Sequence, residues 1–196
     1  MAKPNVISRQ DLLDSAKKIV VEQGMDKLTL KAVATGAEVT QGTVYYHFRT
    51  KENLMLELVE ELCDEAWSEM EAHIHDKEQL LRTALASAKS RIEDGGLYHR
   101  LFFQLAATSL HHNEMREKLG KLFISENDHL SNLLKKHWDE PPILGVSFDS
   151  FALFANALID GIALQCLLNE QLEVTSLFAE LERFFMALSE KGGRDD

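Results

Sequence analysis

The chain has little of what breaks or staples a fold. Among its 196 residues proline occurs three times and cysteine twice, and no long Gly/Ser-rich linker appears. Cys63 and Cys166 lie 103 positions apart, each inside an apolar helical pattern, so neither a disulfide framework nor a zinc site is expected. No segment alternates apolar and polar residues with period two, which excludes strands as the organising element. No internal repeat is present. Nucleophile elbow, phosphate loop and dinucleotide fingerprint are all missing, so the expectation is a protein that is not an enzyme and needs no cofactor. The opening residues MAKPNVIS lack the apolar run of a secretion signal, and the expected setting is a reduced cytoplasm.

Positive charge is also short: the net charge is −11, which argues against a polyanion as partner for the chain as a whole. Its distribution reverses that conclusion locally. Residues 1–51 hold eight Lys/Arg against five acids, a balance of +3, which leaves −14 for the remainder. A mildly basic head on an acidic body suggests that only the head approaches a polyanion.

What the chain has is helix. Leu, Ala, Glu and Lys dominate, and apolar residues recur at helical spacing throughout. Ser8-Arg9-Gln10-Asp11 reads as a capping box, Leu12, Leu13, Ala16, Ile19 and Val20 as the stripe it opens, and Gly24 as its stop. Thr29, Thr40 and Thr50 can each cap a further helix. The stripes that follow run from Leu54 to Met70, Leu80 to Ile92, Leu97 to Leu110, Met115 to Trp138, Phe148 to Leu168 and Leu177 to Leu188. The expectation is an all-α fold of nine helices, with a tail from Lys191 to Asp196 that frays.

The first three helices are short. The turn between the second and third is short too, which is the helix-turn-helix layout. On a helical wheel, Val44 and Phe48 share the inward face of the third helix. Gly42, Thr43 and Tyr46 centre on the opposite face, flanked by Tyr45 and His47. The core that takes Phe48 cannot also take all three of its polar-edged aromatic neighbours. Gly42 lets backbone approach a duplex. Thr40, Thr43, Tyr45 and Tyr46 can donate to phosphates, Gln41 and Thr43 can reach base edges, and Lys51 adds a phosphate contact. The bland alternative is that one tyrosine packs on the fourth helix.

The run Leu30-Lys31-Ala32-Val33-Ala34, then Ala37-Glu38-Val39-Thr40-Gln41-Gly42-Thr43-Val44-Tyr45-Tyr46-His47-Phe48, then Lys51-Glu52-Asn53-Leu54, resembles the DNA-binding domain of the TetR family of bacterial transcriptional regulators. The resemblance covers roughly residues 6–66 and leaves 67–190 as a ligand-binding and dimerisation domain. It implies an all-helical homodimer and repression released by a small molecule. It further implies that Thr29, Thr40, Gln41, Thr43, Tyr45, Tyr46, His47 and Lys51 touch DNA; Lys31 and Gly42 complete the candidate set. One position departs from the pattern. Glu38 stands in the turn where the family usually has glycine, and a left-handed conformation there costs a side chain about 1 kcal/mol.

The body is less specific. Phe102, Phe103, Leu105, Thr108, Phe123, Phe151 and Phe154 are candidate walls of a mainly apolar pocket. Glu126 interrupts an inward stripe, and Asn156 and Asp160 do the same one turn apart. They either meet a polar or cationic group of a ligand or hydrogen-bond at a dimer seam. Glu126 and His129 have the Glu-x-x-His spacing of di-metal bundles, but the second pair such a site needs is absent, and no metal is expected. From Phe151 to Leu168 only three residues are polar. Asp160 in mid-span argues against a membrane helix and for one buried on two sides. Leu158, Gly161, Leu164 and Gln165, with Phe178, Leu181 and Phe185 from the last helix, are the candidate faces of a four-helix dimer interface. The function expected is a ligand-responsive regulator, most simply a repressor, on a near-palindromic operator. The competing reading is a helical-bundle binding protein or enzyme with a structural head.

Overall fold

The structure, a computed structural model, describes residues 7–93 and 96–191, with side chains through 188. Nine α-helices and no strand occur among the described residues: α1 (Arg9–Gln23), α2 (Leu30–Gly36), α3 (Gln41–Phe48), α4 (Lys51–Glu71), α5 (Lys77–Glu93), α6 (Leu97–Ser109), α7 (Asn113–His137), α8 (Phe148–Leu168) and α9 (Val174–Lys191). A 3₁₀ turn over Met25–Lys27, not foreseen from periodicity, links α1 to α2. Gly95 and the terminal residues 192–196, expected to stop a helix and to fray, lie outside the described residues.

The head forms as its capping residues dictate. The Ser8 hydroxyl accepts from the Asp11 amide at 3.1 Å, and the Asp11 carboxylate accepts from the Ser8 amide at 2.8 Å. Thr29, Thr40 and Thr50 accept from the amides three residues on, at 3.0, 3.2 and 3.1 Å. Each bond satisfies a donor that the first helical turn leaves open, and each contributes about 1 kcal/mol. Gly24, at φ 91°, ends α1. Helix α2 ends in a Schellman motif: the Val39 amide reaches Ala34 O at 2.9 Å and the Glu38 amide reaches Thr35 O. Glu38 takes the left-handed position of that motif, at φ 56°.

Two hydrophobic cores share α4. The first gathers α1, α2, α3 and the N-terminal half of α4, through Cys63, and extends into α6 and the start of α7. The second takes Met70 from α4 and closes α5, α7, α8 and α9 over one another. Trp67 and Phe103 pack against both. Helix α4 is therefore one rigid element with one end under the head and the other in the body. Polar contacts tie the head to it: Arg9 to Glu57, Gln10 to Glu61, and Lys17 to Glu65 at 2.9 Å.

Helices α8 and α9 differ from expectation in one respect. Phe178, Leu181 and Phe185, expected at a dimer interface, are buried in the second core of their own subunit. The stripe they form is spent on α5 and α8, so none of the three faces a partner. Leu158, Gly161, Leu164 and Gln165 are exposed, as are Leu153, Phe154, Ala157 and Leu168 on the same outer side of α8. Among the described residues α8 is the one helix long and apolar enough to cross a membrane. Its inner side packs instead through Phe151, Ala152 and Ala163, and Asn156 donates to Asn127 of α7 at 2.9 Å.

Candidate nucleic-acid interface and internal cavity

Helix α3 has a complete inside and an open outside. Val44 and Phe48 are 0 % and 1 % exposed, while Tyr45 and Tyr46 are 52 % and 72 % exposed. Neither tyrosine packs away against α4. Gln41 and Gly42 are exposed beside them, and Thr43 and His47 are half-buried. A Cβ added at Gly42 would meet only the Thr40 hydroxyl, at 3.6 Å. Packing within the subunit therefore does not require glycine there. The His47 ring meets Tyr46 edge-on, with centroids 5.5 Å apart.

The remaining expected contact residues border this face. Thr29 and Thr40 are exposed; as caps their hydroxyl oxygens accept, which leaves the Thr29 proton available, while Thr40 and Thr43 share a hydrogen bond between their hydroxyls at 3.1 Å. Lys31 is exposed on α2. Lys51 is half-buried, and its Nζ donates to Met25 O at 3.5 Å, so it also braces the turn after α1. The periodicity argument missed Arg49. This residue ends α3 at φ 66°, and its guanidinium lies over the rings of Tyr45 and Tyr46, at 5.4 and 5.9 Å from their centroids. A cation held across both tyrosines adds positive charge to the exposed aromatic face. Its only sequence signal is its place directly after the helix.

The end of α3 is wired to the body. Asn53 Nδ2 donates to Phe48 O at 3.0 Å, and Lys118 Nζ of α7 donates to Asn53 Oδ1 at 2.9 Å. Lys118 also pairs with Glu114 at 2.7 Å. Further along α4, Trp67 Nε1 donates to Glu126 Oε1 at 2.9 Å and its ring stacks on His129, 4.3 Å between centroids. His129 Nε2 lies 2.6 Å from Glu71 Oε1. The Glu-x-x-His pair thus holds α4 to α7.

Beside Trp67 lies a cavity of about 80 Å³ enclosed by α4, α5, α7, α8 and α9. A second of about 30 Å³ adjoins it, and Arg91, Glu126, Asn156 and Ile159 line both. Of the expected pocket residues, Glu126, Phe151 and Asn156 line the larger space, and Phe102, Phe123, Glu126, Asn156 and Asp160 the smaller. Four do not reach either. Leu105 is fully buried in the first core, and Phe103 is wedged between the two cores. Thr108 turns back to Gln104 O at 2.9 Å and borders a separate surface groove. Phe154 lies on the exposed outer side of α8. A helical stripe cannot distinguish these positions from pocket walls, because all of them satisfy the same spacing.

Charge inside the cavity is arranged in opposition. Burial pushes the Glu126 carboxyl up, against the Trp67 N–H and the Arg91 charge, which hold it down. Burial likewise raises Asp160, to about 6, with Arg91 again opposing. His99, 1 % exposed, has Nε2 3.7 Å from Asp160 Oδ1. Burial and then the Arg91 charge lower it to about 4, so it is neutral at physiological pH. Burial also pushes the thiol of Cys63 far up, which makes it inert.

Residues 12–58 match the family model described as "Bacterial regulatory proteins, tetR family". Over 53 residues the chain is 38 % identical to the HTH-type transcriptional regulator AcrR of Shigella flexneri, a segment that is 27 % of this chain and 25 % of that protein. The sequence likeness thus spans about a quarter of that relative's length. Likeness of fold extends much further. A Rhodococcus sp. protein assigned to the TetR family of transcriptional regulators superposes with a TM-score of 0.75 at 17 % identity, over 92 % of this chain and 97 % of that one. The multidrug binding protein EbrR, solved in complex with imidazole, does so with a TM-score of 0.62 at 22 % identity, over 90 % and 88 % of the two chains. Residues 12–58 thus carry the domain that defines the tetR family of bacterial regulatory proteins, on an all-helical fold shared with both solved structures over about nine-tenths of the chain.

Proposed function

We propose that this protein is a cytoplasmic DNA-binding transcriptional regulator with no membrane or cofactor dependence. It acts as a homodimeric repressor that leaves a near-palindromic operator when a small, largely apolar molecule enters the body. The observation that carries the reading is the outer face of α3. Two exposed tyrosines and a glycine with open space above it lie on a helix whose inner face is completely buried. Such a face suits the major groove: Gln41, Thr43 and Tyr46 for bases, and Thr29, Lys31, Thr40, Tyr45, His47 and Lys51 for phosphates. A dimer through the exposed apolar side of α8, around Leu158, Gly161, Leu164 and Gln165, supplies the second copy of α3.

Release works through α4. Trp67 is a wall of the cavity, and Asn53, on the same helix, caps the last turn of α3. A molecule that displaces Trp67 tilts α4 and changes the spacing of the two heads. A coupling of about 1–3 kcal/mol, a factor of roughly 5–150 in affinity, suffices for such a switch.

Selection of bound DNA from a random pool, with and without apolar effectors, tests binding, symmetry and release together. The expected product is a two-fold symmetric site whose affinity falls steeply with salt. Tyr46→Ala with Lys51→Ala should abolish that affinity and leave helicity and dimerisation intact. A wild-type protein without DNA affinity at low salt would favour a binding protein or enzyme with a structural head.

A further inference from the structure

Among the residues that line the cavity, Arg91 has an unmet hydrogen-bonding need. Arg91, on α5, lines both the larger and the smaller space, and its guanidinium lies 5.0 Å from the centroid of the Tyr98 ring. Its Nε is buried with no hydrogen-bond partner. No carboxylate among the described residues comes within ion-pairing distance of it, although Glu126 and Asp160 share the smaller cavity. Glu126 is committed elsewhere: one of its oxygens accepts from Trp67. A buried guanidinium with an orphaned N–H is a costly arrangement unless something outside the chain supplies the acceptor.

The larger space, which Glu126, Asn156 and Ser87 also line, is otherwise apolar, walled by Leu81, Leu85, Leu130 and Phe151. Resting on the reading of this cavity as the effector site, we infer that it takes a small carboxylic acid. The carboxylate pairs with Arg91 and the short hydrocarbon part lies toward Trp67. A guanidinium presents parallel N–H groups that match a carboxylate fork, which an alcohol meets with one bond and an ammonium cannot meet at all. A cationic ligand would leave the Nε–H orphaned and add like charge beside it. Burial raises both acids nearby, so each opposes an anion less than an exposed carboxylate does. Size limits the tail. Cavities of about 150 Å³ admit benzene, and at about 80 Å³ this one suits a short chain.

The test uses Trp67 as reporter in the full-length protein carrying Trp138→Phe, which leaves one tryptophan, in the cavity wall. Propanoate, propan-1-ol and propylamine share a chain length and differ in head group. Fluorescence titration should show propanoate binding about tenfold or more tighter than propan-1-ol, and propylamine weakest. Arg91→Gln should bring propanoate to the level of the alcohol while alcohol binding stays unchanged, which shows that the cavity still forms. Propylamine binding tightest, or a propanoate preference that survives Arg91→Gln, overturns the inference. The titration needs no DNA. A protein that selects no DNA sinks the regulator reading alone; one that selects DNA but shows no Arg91-dependent preference for propanoate sinks this inference alone.

Discussion

Head and body solve opposite problems with the same helical material. In the head every large apolar side chain of α3 that can go inside does, and what stays outside is aromatic, small or hydroxylic. In the body an apolar helix, α8, keeps much of its surface outside, while an arginine and two acids line an interior space. The head is complete as a folded unit and lacks only something to touch. The body is incomplete on two counts, an uncovered outer side and an unmatched inner charge. Surface that folding does not explain marks where a partner is required, and the kind of surface says which partner.

The largest test of this contrast is on the head's completeness. Phe48→Ala removes a side chain 1 % exposed at the centre of the first core, under the Arg9 guanidinium at 5.1 Å. The expected loss is about 3–5 kcal/mol in urea-induced unfolding. Leu158→Glu with Leu164→Glu probes the body in the opposite sense. Both positions are already exposed in the subunit, so its helicity and cavity should survive. The proposed dimer should not: burying two carboxylates from each subunit in an apolar seam raises its Kd about a hundredfold, read by sedimentation. A dimer that persists unchanged would show that α8 is covered by something other than a second copy.

Interior charge comes next. Asp160 is held up at about 6 from an ordinary 3.8, so its contribution to stability is fully present below 3.8 and is lost as pH rises through 6. Asp160→Asn should therefore stabilise the protein above pH 7 by at most about 3 kcal/mol, a gain that vanishes by pH 4. His99 works in the other direction. Its pKa is lowered to about 4 from 6.5, so its contribution is present above 6.5 and is lost as pH falls to 4. In the wild type the two offset each other between pH 4 and 6. In the variant Asp160 no longer offsets the His99 slope, and urea midpoints should fall more steeply from pH 7 to 4 than in the wild type.

How much of this was legible beforehand follows the same division. Every cap of the head was readable because a cap is a local device: Ser8, Thr29, Thr40 and Thr50 bond to amides three residues away. The faces of α3 followed from the 100° step per residue, since one core lies on one side of it. The body defeated the same arithmetic. Phe178, Leu181 and Phe185 have the spacing of an interface stripe and are core; Phe154 has the spacing of a pocket wall and faces out. Periodicity says that a face is covered but not by what. Arg91 was missed because an arginine in a helix is ordinarily solvated. Its signal was its register, in line with Ala84 and Ala88 on the inward side of α5.

The smallest test returns to the head, at one of its two non-glycine residues with positive φ, Glu38 and Arg49. Glu38 occupies the left-handed position of the Schellman motif that joins α2 to α3, at φ 56°, where a side chain is strained and glycine is not. Glu38→Gly should relieve about 1 kcal/mol of that strain, less a few tenths for the greater freedom of glycine in the unfolded chain. The net gain in urea is expected to be below about 1 kcal/mol. Charge complicates the DNA readout, because Glu38 is exposed just before the recognition helix and its loss removes a repulsion from phosphate. Glu38→Gln separates the two effects, since it keeps the strained side chain and removes only the charge. If Gly raises both stability and DNA affinity while Gln raises affinity alone, the turn costs the head stability through its backbone and affinity through its carboxylate. If Gly leaves stability unchanged, the left-handed turn at Glu38 is not a strained one.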